Sequence, residues 1–206
     1  MYGPGSRGIL RPKVDFMSFS LLVLGIGSFL FHASLRQTME FADELSMMVL
    51  MWAMLRATLQ ARRSPSMARA ISVLLAVVFI SFSVFYVWSA KIIYQVIAFN
   101  IGIVVLTAWS HWVLYHSTPA FSAAKRSDWN KRKWKGIGYS ALGYFLWNID
   151  LEYCAELRAL KARVGLPWAW LLELHGWWHI LTAVGVSMSM DVSREVQAEI
   201  ERLKQD

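Results

Sequence analysis

The sequence is short of most of what a disulfide-stapled or soluble fold is built from. A single cysteine, Cys154, in 206 residues excludes an intrachain disulfide framework and a cysteine-rich zinc module. Charged residues make up only 17% of the chain, against roughly 25% in a soluble domain. Acid is scarcer than base: 14 Asp and Glu stand against 21 Lys and Arg, a formal charge of +7. The first 13 residues hold no acid at all. No internal repeat and no low-complexity segment is visible, which excludes solenoids and tail-like chains. What is plentiful is apolar. The chain is 56% hydrophobic with a mean hydropathy of +0.39. That excess argues against an ordinary globular domain and against disorder. A basic balance on such a chain points to a membrane and its anionic surface, with no nucleic-acid partner expected.

A bilayer core takes about 20 mostly apolar residues in helix. Six stretches meet that length approximately: residues 14–35, 41–59, 68–88, 92–114, 136–151 and 168–190. None alternates as a barrel strand does, and several are apolar all round, so they read as helices. The expected fold is all-α: a polytopic membrane helix bundle of six spans. It forms one transmembrane domain over residues 1–190, followed by a charged tail over 191–206. The opening residues, with Gly3, Pro4, Gly5, Gly8 and Pro12, read as loop, and no cleaved leader is expected.

Six spans place both ends on one side. That side carries Arg7, Arg11 and Lys13, the four arginines Arg56, Arg62, Arg63 and Arg69 at the inner ends of the second and third spans and in the turn joining them, six Lys and Arg between the fourth and fifth, and Arg194, Arg202 and Lys204. The opposite side has Arg36, Lys91, Arg158, Lys161 and Arg163. The positive-inside rule therefore puts both ends, including the C-terminus, in the cytoplasm. Trp88, Trp129, Trp134 and Trp168 sit at span ends, as in an interfacial aromatic belt.

Ionisable groups inside a span cost about 2.5–3.5 kcal/mol each at the centre and mark function by default. Ser28 and His32 lie near the outer end of the first span, and Asp43, Glu44 and Ser46 near the outer start of the second. Asn148, Asp150 and Glu152 close the fifth. Glu173, His175 and His179 lie in the outer half of the sixth. Four spans thus carry polar groups at one level, which independent surface charges would not do.

His175 and His179 are four residues apart on one helix face and can chelate one zinc through two imidazoles. His32 supplies a third nitrogen. Three protein ligands leave a fourth position open, the catalytic arrangement, in which zinc makes water acidic and polarises a carbonyl. Asp43 is the candidate base for that water, and Ser28 the candidate donor to the developing oxyanion. The pattern His-Glu-x-x-His is absent, because Gly176 and Trp177 follow His175, so the base has to come from elsewhere. Asp150 and Glu152 either orient ligating imidazoles or bond helix ends. Glu173 reads as structural, and His111 and His116 as interface residues.

Four motifs together resemble one family. They are Gly-Ser-Phe-Leu-Phe-His-Ala from Gly27, Asp-Glu-Leu-Ser-Met from Asp43, Trp-Asn-Ile-Asp from Trp147, and His-Gly-Trp-Trp-His-Ile-Leu-Thr from His175. In order and spacing the chain resembles the alkaline ceramidases over residues 13–190. The resemblance implies an integral-membrane amidase that cleaves the linear amide C–N bond of ceramide, dihydroceramide or phytoceramide to a sphingoid base and a fatty acid. It implies zinc on His32, His175 and His179, catalytic roles for Ser28 and Asp43, and residence in endoplasmic reticulum or Golgi membranes. It gives no protein partner. Family members carry seven spans and an acidic calcium-binding segment before the first. Residues 1–13 supply neither, so this chain is expected to bind zinc, to hydrolyse ceramide poorly or not at all and not to answer to calcium. The competing readings are a non-catalytic or receptor-like zinc protein of the related seven-span superfamily, an inactive truncated ceramidase, and a channel or transporter, against which the polar residues cluster at one depth instead of lining a through-path. The Trp-Asn-Ile-Asp segment and the Trp-Trp pair between His175 and His179 favour the amidase.

Overall fold

The computed structural model describes residues 15–205, and every regular element among them is helical. The loop-like opening and the acid-free stretch lie outside the described residues. The elements are α1 (Phe16–Ser34), α2 (Gln37–Leu59), α3 (Pro65–Ser89), α4 (Ile92–His116), α5 (Ala123–Glu152), α6 (Cys154–Val164), a 3₁₀ turn (Trp168–Leu172) and α7 (Leu174–Gln205). Local chemistry sets several of the starts. Asp15 caps α1 by accepting from the Ser18 amide at 2.8 Å. Ser64 caps α3 with Pro65 at its first turn, where a missing amide hydrogen costs nothing. Ser122 caps α5, and the Asp128–Arg132 pair one turn apart supports its polar opening well upstream of the apolar run.

Three helices, α1, α3 and α4, are long and apolar enough to cross a membrane. α2, α5 and α7 are also long but less apolar; α2 carries Glu40, Asp43 and Glu44, and α7 carries His175 and His179. The structure is that of a membrane helical bundle, with the six-span expectation met at the level of apolar length by three.

Two other differences from the sequence reading have local causes. Residues 168–172 do not begin the last span. They form a 3₁₀ turn with Trp170 N–H on the Pro167 carbonyl and Glu173 N–H on that of Trp170, and the Trp177 indole N–H takes the Leu171 carbonyl at 3.2 Å. The helix then starts at Leu174. At the other end it does not stop at residue 190 but runs on to Gln205. Val196 and Ile200 are buried there one turn apart, and the Asp191–Arg194, Glu199–Arg202 and Glu201–Lys204 pairs line the helix.

The chain divides into two compact units. One holds the described residues through Phe121 together with those from Glu195, the other residues Ser122–Arg194. In the first unit α2 is the hub, with α1, α3 and α4 each packed on it. Leu50, Met51, Ala53 and Met54 are its buried face, and the Met51 side chain fills the space over Gly102 of α4. From the far end of the chain, Gln197 donates to the Ala57 carbonyl at 3.3 Å. In the second unit α5 and α7 cross closely where Gly136 meets Gly185.

Candidate active site

In the first unit α1 and α2 come together around Asp43. Gly27 is buried, and a Cβ there would lie 3.2 Å from the Ala42 carbonyl oxygen and from Ser46 Oγ. The missing side chain lets the two helices approach, as small residues do in membrane bundles. The next residue, Ser28, then reaches α2. Its side chain and His32, one turn further on, both lie close enough to the Asp43 carboxylate to act on it electrostatically. The Asp43 backbone is pinned as well: its carbonyl accepts from the Ser46 hydroxyl at 2.6 Å. Three of the five residues singled out from sequence therefore meet in one place.

Glu44 has a partner that the sequence reading missed. The Tyr86 hydroxyl of α3 donates to its carboxylate. Tyr86 is only 2% exposed, stacked on Phe82 and edge-on to Phe41. The sequence signal was there: a lone phenol within an otherwise apolar run calls for a hydrogen-bond partner when buried.

In the second unit His175 and His179 occupy successive turns at the start of α7, with ring centroids 4.7 Å apart and planes at 73°. Two imidazoles so placed suit a shared zinc, whose nitrogen ligands stand about 2.0–2.1 Å from the metal. The donor chemistry fits too, since neutral imidazole is a common zinc ligand. Their helix is held by the Trp-Asn-Ile-Asp segment. Trp147 stacks on Trp178 at 5.6 Å, and Gly143 lies under Leu181 and the Trp178 carbonyl. Asn148 turns back to the Tyr144 carbonyl on its own helix. Glu152, at the end of α5, is exposed. Glu173 pairs with Lys161 at 2.9 Å, in keeping with a structural role. His111 packs against Tyr115 and lies near His116, at the end of α4.

The ceramidase family profile matches residues 6–206. The chain is 29% identical over 192 residues to alkaline ceramidase YPC1 of Saccharomyces cerevisiae, which covers 86% of this chain and 60% of that protein. It is 28% identical over 190 residues to alkaline ceramidase 3 of Mus musculus, covering 88% and 65%. The chain thus spans less than two thirds of the length of either relative. With a matching profile over nearly its whole length, and with the motif residues set in a membrane helical bundle, the chain belongs to the ceramidase family.

Proposed function

We propose that this chain hydrolyses the amide bond of ceramide-class lipids at a zinc site formed by His32, His175 and His179. The observation that carries the reading is the meeting of Ser28, His32 and Asp43 where α1 packs on α2 at Gly27. It brings together a base, an oxyanion-donor candidate and a metal-ligand candidate, in a family whose relatives are named alkaline ceramidases. Zinc in such a site supplies Lewis-acid activation of water and of the amide carbonyl. The chain's own groups do the rest. Asp43 accepts the proton of the attacking water and returns it to the amide nitrogen as the C–N bond breaks, and Ser28 donates to the developing oxyanion. Fatty acid and sphingoid base then leave. The apolar flanks of the bundle take the acyl chains, and the enzyme resides in endoplasmic reticulum or Golgi membranes with its C-terminus in the cytoplasm.

The test is ceramide turnover in membranes expressing the chain, read beside zinc content of the purified protein. Asp43→Asn keeps shape and removes the base. It is expected to lower turnover by about 10²–10⁴-fold with zinc retained. His175→Ala is expected to lose zinc and turnover together. Equal zinc loss in both variants would make Asp43 a ligand or a structural residue. Turnover left unchanged in both variants would overturn the site, and an unaltered chain that binds no zinc would overturn the metal assignment.

A further inference from the structure

The segment joining α5 to α7 does something the catalytic reading does not use. α6 is 11 residues long and has no buried residue. A helix that short is marginal in water even with good helix formers, and most helical stability in proteins comes from a covered apolar face. Leu157, Leu160 and Val164 recur at three- and four-residue spacing and fall within about 60° of one another around the helix. Lys161 and Arg163 flank that face on either side, with Glu156 also beside it, and Ala155, Arg158, Ala159 and Ala162 lie opposite.

The chain that follows is more apolar and more open still. Leu166 is 76% exposed, Trp168 64%, Trp170 74% and Leu171 58%. Two ties hold the segment in shape: the Lys161–Glu173 ion pair at 2.9 Å and the Trp177 indole on the Leu171 carbonyl. Large, fixed aromatic and leucine side chains would remain in water unless something covers them.

We infer that α6 and the 3₁₀ turn form an amphipathic wedge that lies in the bilayer interface, with Leu157, Leu160 and Val164 toward the acyl chains and Lys161 and Arg163 at the level of the headgroup phosphates. The chemistry favours lipid as the covering phase. An interfacial helix sinks an apolar face about 5–10 Å into the headgroup boundary and flanks it with basic residues. Tryptophan at 168 and 170 is the residue type enriched at that depth. Arginine stems lie along apolar surface while their heads reach phosphate and carboxylate groups. The wedge directly precedes the helix of His175 and His179, so its seating sets the depth at which α7 begins.

The test uses the lone cysteine. In the whole chain with Cys154→Ser, single cysteines are introduced as Leu157→Cys, Leu160→Cys, Val164→Cys, Ala159→Cys and Ala162→Cys. Each is labelled with an environment-sensitive fluorophore after reconstitution in phosphatidylcholine vesicles, with and without phosphatidylserine. Labels at 157, 160 and 164 are expected to be quenched at least about threefold more by lipid-borne nitroxide than those at 159 and 162, with the order reversed for aqueous iodide. Phosphatidylserine is expected to increase the contrast, and Arg163→Glu, but not Arg158→Glu on the opposite side, to remove that increase. Equal iodide access at all five positions would overturn the inference. Access that is uniform in pure lipid but lost in native membranes would assign the face to a protein partner, and would equally overturn it.

Discussion

Gly136 and Gly138 lie two residues apart on α5 and differ in what a methyl group would meet. At Gly138 nothing stands within 4 Å. At Gly136 the new carbon would sit 2.7 Å from the Gly185 carbonyl oxygen and 3.1 Å from Ser189 Oγ, both on α7. Ordinary contact begins at 3.4 Å, so the first of these is about 0.7 Å too close. A side-chain hydroxyl can rotate away, but a helical backbone carbonyl cannot, so α5 and α7 have to separate. Overpacking of this kind costs about 1–3 kcal/mol. Both Gly→Ala changes also gain helix propensity, about 0.8–1.0 kcal/mol, and that gain cancels in the comparison. Gly136→Ala is therefore expected to be less stable than Gly138→Ala by about 1–3 kcal/mol. For a chain of this size that is a melting difference of roughly 2–12 °C. The assay is thermal unfolding of the two purified proteins in one detergent. Equal melting temperatures would refute the close crossing and the reasoning built on it.

Other perturbations test the rest of the structure. Lys133 on α5 is 6% exposed, and its ammonium has no hydrogen-bond partner among the described residues. Burial pushes its pKa below the ordinary lysine range, so the unfolded chain holds the proton more tightly and stability rises with pH between the lowered value and the ordinary one. Lys133→Met is expected to stabilise at neutral pH by about 1–4 kcal/mol and to flatten that rise; an unchanged pH slope would count against it. Tyr86→Phe leaves the Glu44 carboxylate without its donor and is expected to cost about 1–3 kcal/mol in a melting assay, whereas Glu44→Gln keeps an acceptor and costs less. Ile200 is buried and Glu201 exposed, so Ile200→Ala is expected to cost about 2–5 kcal/mol and Glu201→Ala no more than about 0.5. Similar melting of these two would mean that the last turns of α7 are not packed.

Much of this protein was legible before any coordinates. Apolar runs of span length declare helices, because a backbone in lipid has to satisfy its own hydrogen bonds. The first four helices accordingly start and end within a few residues of the stretches read from sequence. Ser28, His32, Asp43, His175 and His179 stand out for the same reason in reverse: polar groups in apolar runs are costly, and their spacing puts them on common helix faces. Only the tertiary structure decided what those groups touch. Periodicity marks a face but not its neighbour, so it could not show that α1 meets α2 at Gly27 and brings Ser28 and His32 beside Asp43. Tyr86 finds Glu44 across 42 positions of sequence, a separation that no local pattern encodes. Residues 168–172 are apolar enough to continue a helix, yet the Trp177 indole draws the Leu171 carbonyl aside and the backbone tightens into a 3₁₀ turn. The charged run after residue 190 reads as a solvated tail. It folds as helix because Val196 and Ile200 recur one turn apart among those charges and are buried, and burial of an apolar stripe outweighs the composition around it.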